Sequence, residues 1–291
     1  MDNDTSPRKK ITTRTFQLKK KRQQPISMLT AYDYPTALAA DRAGIDSILV
    51  GDSLGMVVLG YQNTLPVTME DMLHHCKAVS RGAFAPLLVG DMPFMSYQSS
   101  VDMAVENAGR FLKEAGMDAV KLEGGRERAN AVQAIVQAGI PVMGHLGLTP
   151  QSVHAFGGFR AQGKTAAAAK HLIEDAHILQ EAGAFSIVLE AVPAQLAELV
   201  SKQVAIPTIG IGAGVGCDGQ VLVTHDLVGQ FDRFVPAFVK QYAQIHSTVL
   251  GAMQSFHQDV LDRKFPADEH SIFMKDEEWD ALMADLDGGD G

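Results

Sequence analysis

Ser47-Ile48-Leu49-Val50-Gly51-Asp52-Ser53-Leu54-Gly55-Met56 is a short apolar run that ends in a glycine, a carboxylate and a hydroxyl. A run this short, bounded by Gly, suits a strand buried on both faces, so Asp52 is delivered where the chain leaves the core. The same pattern recurs in Leu87-Leu88-Val89-Gly90-Asp91, Ala119-Val120-Lys121-Leu122-Glu123-Gly124-Gly125 and Ser186-Ile187-Val188-Leu189-Glu190. A parallel sheet sets the C-termini of its strands on one side, and these acids are therefore predicted to converge.

The punctuation around these runs is regular. Pro25, Pro86, Pro141 and Pro207 each open an apolar run, where a strand tolerates the missing N–H. Ala43-Gly44, Ala115-Gly116, Ala138-Gly139 and Ala182-Gly183 each follow a helical pattern and precede a strand, as a left-handed C-cap glycine would. Thr68 with Asp71 caps a helix whose apolar face is Met69, Met72, Leu73, Cys76 and Val79, and Ser100 opens another; Lys164 to Ala182 is Ala-rich and helical. Eight strands are predicted: Ile26 to Ala31, Ser47 to Gly51, Leu87 to Gly90, Ala119 to Leu122, Val142 to His145, Ser186 to Leu189, Thr208 to Ile211 and Gln220 to Val223. Eight strands, mostly separated by helices, within one domain's length imply an α/β fold of the (β/α)8 TIM-barrel class. An extra helix precedes the first strand and ends before Pro25, and an extended helical region from Pro236 to Lys264 follows the last. Between Ile211 and Gln220 there is room only for a turn or a short helical piece. The competing fold, an open doubly wound sheet, lacks a dinucleotide-type glycine fingerprint after the first strand.

At 291 residues, with 46% hydrophobic and 20% charged residues, the chain has the composition of a globular enzyme with a substantial core. No run of eighteen apolar residues exists, so no membrane span is expected. The polar, basic start reads as no secretory signal, and two cysteines, Cys76 and Cys217, leave no disulfide framework; a cytoplasmic location is expected. Of the net charge of -9, Asp276, Glu277, Glu278, Asp280, Asp285, Asp287 and Asp290 account for most, leaving the body nearly balanced. The domain reading is one barrel over residues 1–274 and an acidic, disordered, dispensable tail over 275–291. Arg8-Lys9-Lys10 and Lys19-Lys20-Lys21-Arg22 lack interleaved aromatics and read as a solvated helix face rather than a nucleic-acid site.

Active sites of this barrel lie at the strand C-termini. Onto that face the sequence delivers Asp33, Asp52, Ser53, Asp91, Lys121, Glu123, His145 and Glu190. So many carboxylates with so few cations repel one another unless a cation is bound, and oxygen-only ligands favour Mg²⁺ or Mn²⁺ over Zn²⁺. Any one acid taken singly reads better as a helix cap or a lysine partner; the set reads as a metal site. Lys121 and Glu123, two apart on one strand, share a face. A metal-bound acid beside an ammonium suits a small chelating anion such as an α-keto acid.

Longer motifs then carry a resemblance. They are Thr30-Ala31-Tyr32-Asp33, Gly51-Asp52-Ser53-Leu54-Gly55, Asp91-Met92-Pro93-Phe94, Lys121-Leu122-Glu123-Gly124-Gly125, Gly144-His145-Leu146-Gly147-Leu148-Thr149-Pro150-Gln151, Gln162-Gly163, Leu189-Glu190-Ala191-Val192-Pro193, Ile209-Gly210-Ile211-Gly212-Ala213-Gly214 and Cys217-Asp218-Gly219-Gln220. From about Lys10 to Ser271 the chain closely resembles the ketopantoate hydroxymethyltransferases. Gly90 stands where that family more often has Ala, and Phe159-Arg160-Ala161 departs in a loop. The resemblance implies transfer of a one-carbon unit from the co-substrate methylenetetrahydrofolate to α-ketoisovalerate, giving ketopantoate in the pantothenate pathway. It implies one Mg²⁺ per subunit on Asp52, Asp91 and Glu123, keto-acid contacts on Asp52, Ser53, Asp91 and Lys121, a catalytic base at Glu190, and a homodecamer. His145 is assigned to substrate, against the alternative of a hydrogen-bonded supporting residue. The alternative enzyme is a Mg²⁺-dependent keto-acid lyase or mutase resembling phosphoenolpyruvate mutase and isocitrate lyase; a non-catalytic scaffold would be expected to lose a strand-end acid, and none is lost. Gly210 to Gly219 reads as a tight connection, with a phosphate cradle as its alternative, and both cysteines read as packed thiols.

Overall fold

A computed structural model describes residues 8–156, 158, 161–233 and 235–287. Eight parallel strands, β1 (Ile26–Thr30), β2 (Ser47–Val50), β3 (Leu87–Asp91), β4 (Ala119–Glu123), β5 (Val142–Gly147), β6 (Ser186–Glu190), β7 (Thr208–Ile211) and β8 (Gly219–Leu222), close in sequence order into a barrel. β8 pairs with β1 in register Met28 to Val221, so no edge is left open. The connection from β7 to β8 is a turn, as its length requires.

Alternation along each strand divides the apolar side chains between two cores. Met28, Leu49, Val89, Met143, Val188 and Ile209 fill the barrel interior, whereas Ile48, Val50, Leu88, Val120, Val142 and Ile187 pack outward with the surrounding helices. The helix Thr13–Lys21 belongs to the interior: Phe16 is fully buried and meets the Phe185 ring edge-on at 5.9 Å. Its lysines bind acids at the strand starts, Lys19 to Asp46 at 2.6 Å and Lys20 to Asp218 at 2.7 Å. The basic cluster is therefore a plug for the N-terminal end of the barrel.

Local signals act as expected. Thr68 and Asp71 form a capping box, Ser100 caps Val101–Ala115, and Gly44, Gly116, Gly139 and Gly183 all have positive φ. At Gly90 the Phe111 ring occupies the space that an alanine methyl would need. Phe159 and Arg160 lie outside the described residues.

The domain division differs from the sequence reading. The barrel unit ends at Tyr242, and the described residues from Ala243 onward form a second unit containing helices Ile245–Leu261 and Asp276–Asp287. Asp276–Asp287 is a helix where a disordered tail was expected. Trp279, Leu282, Met283 and Leu286 recur at helical spacing, and Asp276, Glu277 and Glu278 place negative charge at the positive end of the helix dipole. Residues 1–7 and 288–291 of the expected ranges lie outside the described residues. Among the described residues no helix is long and apolar enough to cross a membrane.

Candidate active site

The strand ends converge on one cavity of about 380 Å³, lined by Asp52, Ser53, Asp91, Lys121, Glu123, His145 and Glu190 among others. Strand register does this. Asp91 of β3 stands beside Lys121 of β4, Glu123 of β4 beside His145 of β5, and Glu190 of β6 beside Gly147 of β5. Asp33 does not join them. It is exposed and caps the helix Tyr34–Arg42, accepting from the Thr36 N–H at 2.8 Å.

Asp52, Asp91, Lys121, Glu123 and His145 are all at least 95% buried. Lys121 Nζ lies 2.8 Å from Asp91 Oδ1 and 3.2 Å from His145 Nδ1. The Asp52 N–H donates to Asp91 Oδ2 at 3.1 Å. His145 bridges two acids, with Nδ1 3.6 Å from Glu123 Oε1 and Nε2 3.1 Å from Glu190 Oε2. Ser53 Oγ is 2.8 Å from the buried Tyr32 hydroxyl.

Gln151 was not singled out in the sequence, yet it ties the acids together. Its side-chain amide donates to Asp52 Oδ2 at 3.0 Å and Met92 O at 2.9 Å, and its backbone N–H donates to Glu123 Oε2 at 3.0 Å. Tyr97 donates its hydroxyl to Gln151 Oε1 at 2.6 Å and accepts the Glu123 N–H at 3.1 Å. The available signal was Thr149-Pro150-Gln151, a turn just beyond β5. Nothing in its spacing marks the amide as a carboxylate clamp.

Burial and crowding perturb these groups strongly. Asp52 is held well above the usual carboxylate range, first by burial and then by Asp91 and Glu123. Burial raises Asp91 as well, against the lowering pull of Lys121. For Lys121 burial acts downward, but Asp91, Glu123 and Asp52 outweigh it and the ammonium is stabilised. Burial and Lys121 likewise act to depress His145, but the Glu123 and Glu190 carboxylates beside it raise it to about 9.

Three buried carboxylates thus face one buried lysine. Glu123 Oε1 has no hydrogen-bond donor, and Asp91 Oδ1 lacks an aligned one despite its closeness to Lys121. Among the described residues no group of three or more His, Cys, Asp or Glu side chains is placed to hold a metal ion by protein ligands alone. A magnesium ion needs none, because it commonly completes its shell with several waters beside its carboxylate ligands. The all-oxygen donor set and the surplus negative charge fit such an ion on Asp52, Asp91 and Glu123.

The remaining features do not supply chemistry of their own. Burial pushes the thiols of Cys76 and Cys217 above the ordinary thiol range, which disfavours the thiolate. Methyl groups added at Gly212, Gly214 and Gly216 would collide with Phe238, Ala194 and Glu198. That segment is glycine-rich because protein packs closely against it.

Comparison with known proteins follows the same lines. Phosphonopyruvate hydrolase superposes with a TM-score of 0.61 at 12% identity, covering 96% of this chain and 99% of its own. A phosphonopyruvate hydrolase complex with oxalate and Mg²⁺ gives a TM-score of 0.58 at 12% identity over 96% and 98%. At that identity the likeness shows the barrel fold alone. Sequence is closer: the 3-methyl-2-oxobutanoate hydroxymethyltransferase of Syntrophus aciditrophicus is 59% identical over 91% of this chain and 97% of its own length. That of Syntrophobacter fumaroxidans is 61% identical over 87% and 90%. With the model of the ketopantoate hydroxymethyltransferases matching residues 10–268 as well, the chain belongs to that family.

Proposed function

We propose that the barrel mouth transfers a hydroxymethyl unit from methylenetetrahydrofolate to 3-methyl-2-oxobutanoate (α-ketoisovalerate), with water supplying the hydroxyl, to give ketopantoate and tetrahydrofolate. The observation that carries this reading is one cavity holding a buried ammonium, Lys121, and a carboxylate at its edge, Glu190, beside three clustered acids. Lys121 binds the substrate carboxylate. Ser53 and the backbone around Asp52 add hydrogen bonds to it. Asp52, Asp91 and Glu123 would hold a divalent cation, assigned as Mg²⁺, which when bound would supply Lewis-acid stabilisation for charge developing on the keto oxygen.

Water breaks both methylene–nitrogen bonds of the folate, releasing tetrahydrofolate and the one-carbon unit as formaldehyde; Glu190 removes the C3 proton, the freed electron pair forms the bond to the formaldehyde carbon, and its oxygen takes up a proton to become the hydroxyl. His145, 3.1 Å from Glu190 Oε2 and 3.2 Å from Lys121 Nζ, holds base and ammonium in register and lines the space the substrate enters. Gln151 keeps Asp52 and Glu123 oriented toward that space. The assembly is read as a homo-oligomer, with a decamer expected, and sedimentation velocity measures it.

Proton NMR of 3-methyl-2-oxobutanoate in heavy water tests the first step. Metal-dependent loss of the C3 proton signal, without folate, is the expected result. Persistence of the signal with Mg²⁺ and tetrahydrofolate both present would overturn the reading. Turnover of a phosphonate or of an oxaloacetate-like substrate would instead favour C–P or C–C cleavage.

A further inference from the structure

The same cavity has a second wall that the keto-acid chemistry leaves unused. Val221, Val223, Phe231, Phe238 and Val239 make it apolar, and Asp226 interrupts it. Asp226 is 7% exposed, and its carboxylate has no hydrogen-bond or ion-pair partner among the described residues. Its carboxylate opens onto the cavity with no protein donor, and a largely apolar cavity that contains such a group calls for a donor from a ligand. Thr64 lines the cavity too, with a buried hydroxyl that lacks a partner.

The chemistry of the reactants decides which ligand group fits. A keto acid is anionic and is repelled by Asp226. The glutamate end of a folate is anionic also. The pterin ring is neutral and flat, suits apolar walls, and presents its 2-amino group and the adjacent ring N–H on one edge. That pair matches the two oxygens of a carboxylate, giving a bidentate charge-assisted contact. We propose that Asp226 recognises the pterin of the one-carbon donor through these two N–H groups, an assignment that rests on the folate reading above. Burial alone pushes the free carboxyl up to about 6, and two donors relieve that penalty when the pterin arrives.

Calorimetric titration of the full chain with tetrahydrofolate and with its 2-desamino analogue tests this without turnover. Wild-type protein is expected to bind the analogue about 10- to 100-fold more weakly, the range for a lost hydrogen bond to a charged group. Asp226→Asn is expected to bind tetrahydrofolate more weakly by a similar factor and to lose most of the discrimination. Equal wild-type affinity for the two ligands overturns the role of Asp226 and leaves folate use standing; this arm requires no variant to fold. Tetrahydrofolate binding to Asp226→Asn at wild-type strength overturns it likewise. Failure of wild-type protein to bind tetrahydrofolate at all strikes the folate reading itself, and the assignment falls with it.

Discussion

The two ends of the barrel both gather charge, in opposite balance. At the N-terminal end each acid has its own lysine: Asp46 with Lys19, Asp218 with Lys20, and Asp118 with Lys10 at 2.6 Å. Each acid also accepts backbone N–H groups, from Ser27, Thr208 and Leu88 respectively. At the C-terminal end Asp52, Asp91 and Glu123 share Lys121, and all four are almost wholly buried. Matched, partly solvated pairs lock the plug in place. A buried surplus of one sign stores an electrostatic cost that a ligand relieves, which is the usual mark of a functional site.

The comparison is broken or sharpened by four measurements. Glu190→Gln should retain keto-acid binding and lose turnover by roughly 10² to 10⁴ in steady-state kinetics; near-normal kcat would remove Glu190 as the base. Lys121→Met leaves three acids without their ammonium, and urea unfolding should show a loss of about 3–5 kcal/mol. A loss below that of Lys20→Met would contradict the idea that the C-terminal end is the strained one.

Mg²⁺ should raise the melting temperature of the wild-type chain, with about 2.7 kcal/mol of added stability at one hundred times its Kd. Asp52→Asn should shrink that increment; an unchanged increment would place the ion elsewhere. Lys20→Met removes donors to Asp218 and the Ser201 carbonyl, both part-buried, and should cost about 1.5–2 kcal/mol by urea unfolding, in Mg²⁺ or without it. Dependence of that loss on Mg²⁺ would show that the two ends are not independent.

Much of this was legible before any coordinates. Ser47 to Val50, Leu87 to Asp91, Ala119 to Glu123 and Ser186 to Glu190 are strands because short apolar runs bounded by Gly or Pro suit burial on both faces. Their terminal acids meet because parallel strands share an end. Asp33 was misplaced because an acid just before a helix and an acid lining a cavity look alike in one dimension. Gln151, Tyr97 and Asp226 were passed over for a related reason: an amide, a phenol and a lone acid carry no spacing rule, and their importance lies in which buried atom stands opposite.

The sequence by itself determined the closed eight-strand barrel, the capped helices and the convergence of Asp52, Asp91, Lys121, Glu123 and Glu190, because these follow from local period, punctuation and strand direction. Only the tertiary structure decided that the basic N-terminal helix plugs the barrel, that Gln151 clamps two acids, that His145 joins Lys121 to Glu190, and that Asp226 is left without a partner. Those depend on distances between residues far apart in the chain, where burial converts an ordinary charge or amide into a paired, shared or unsatisfied one.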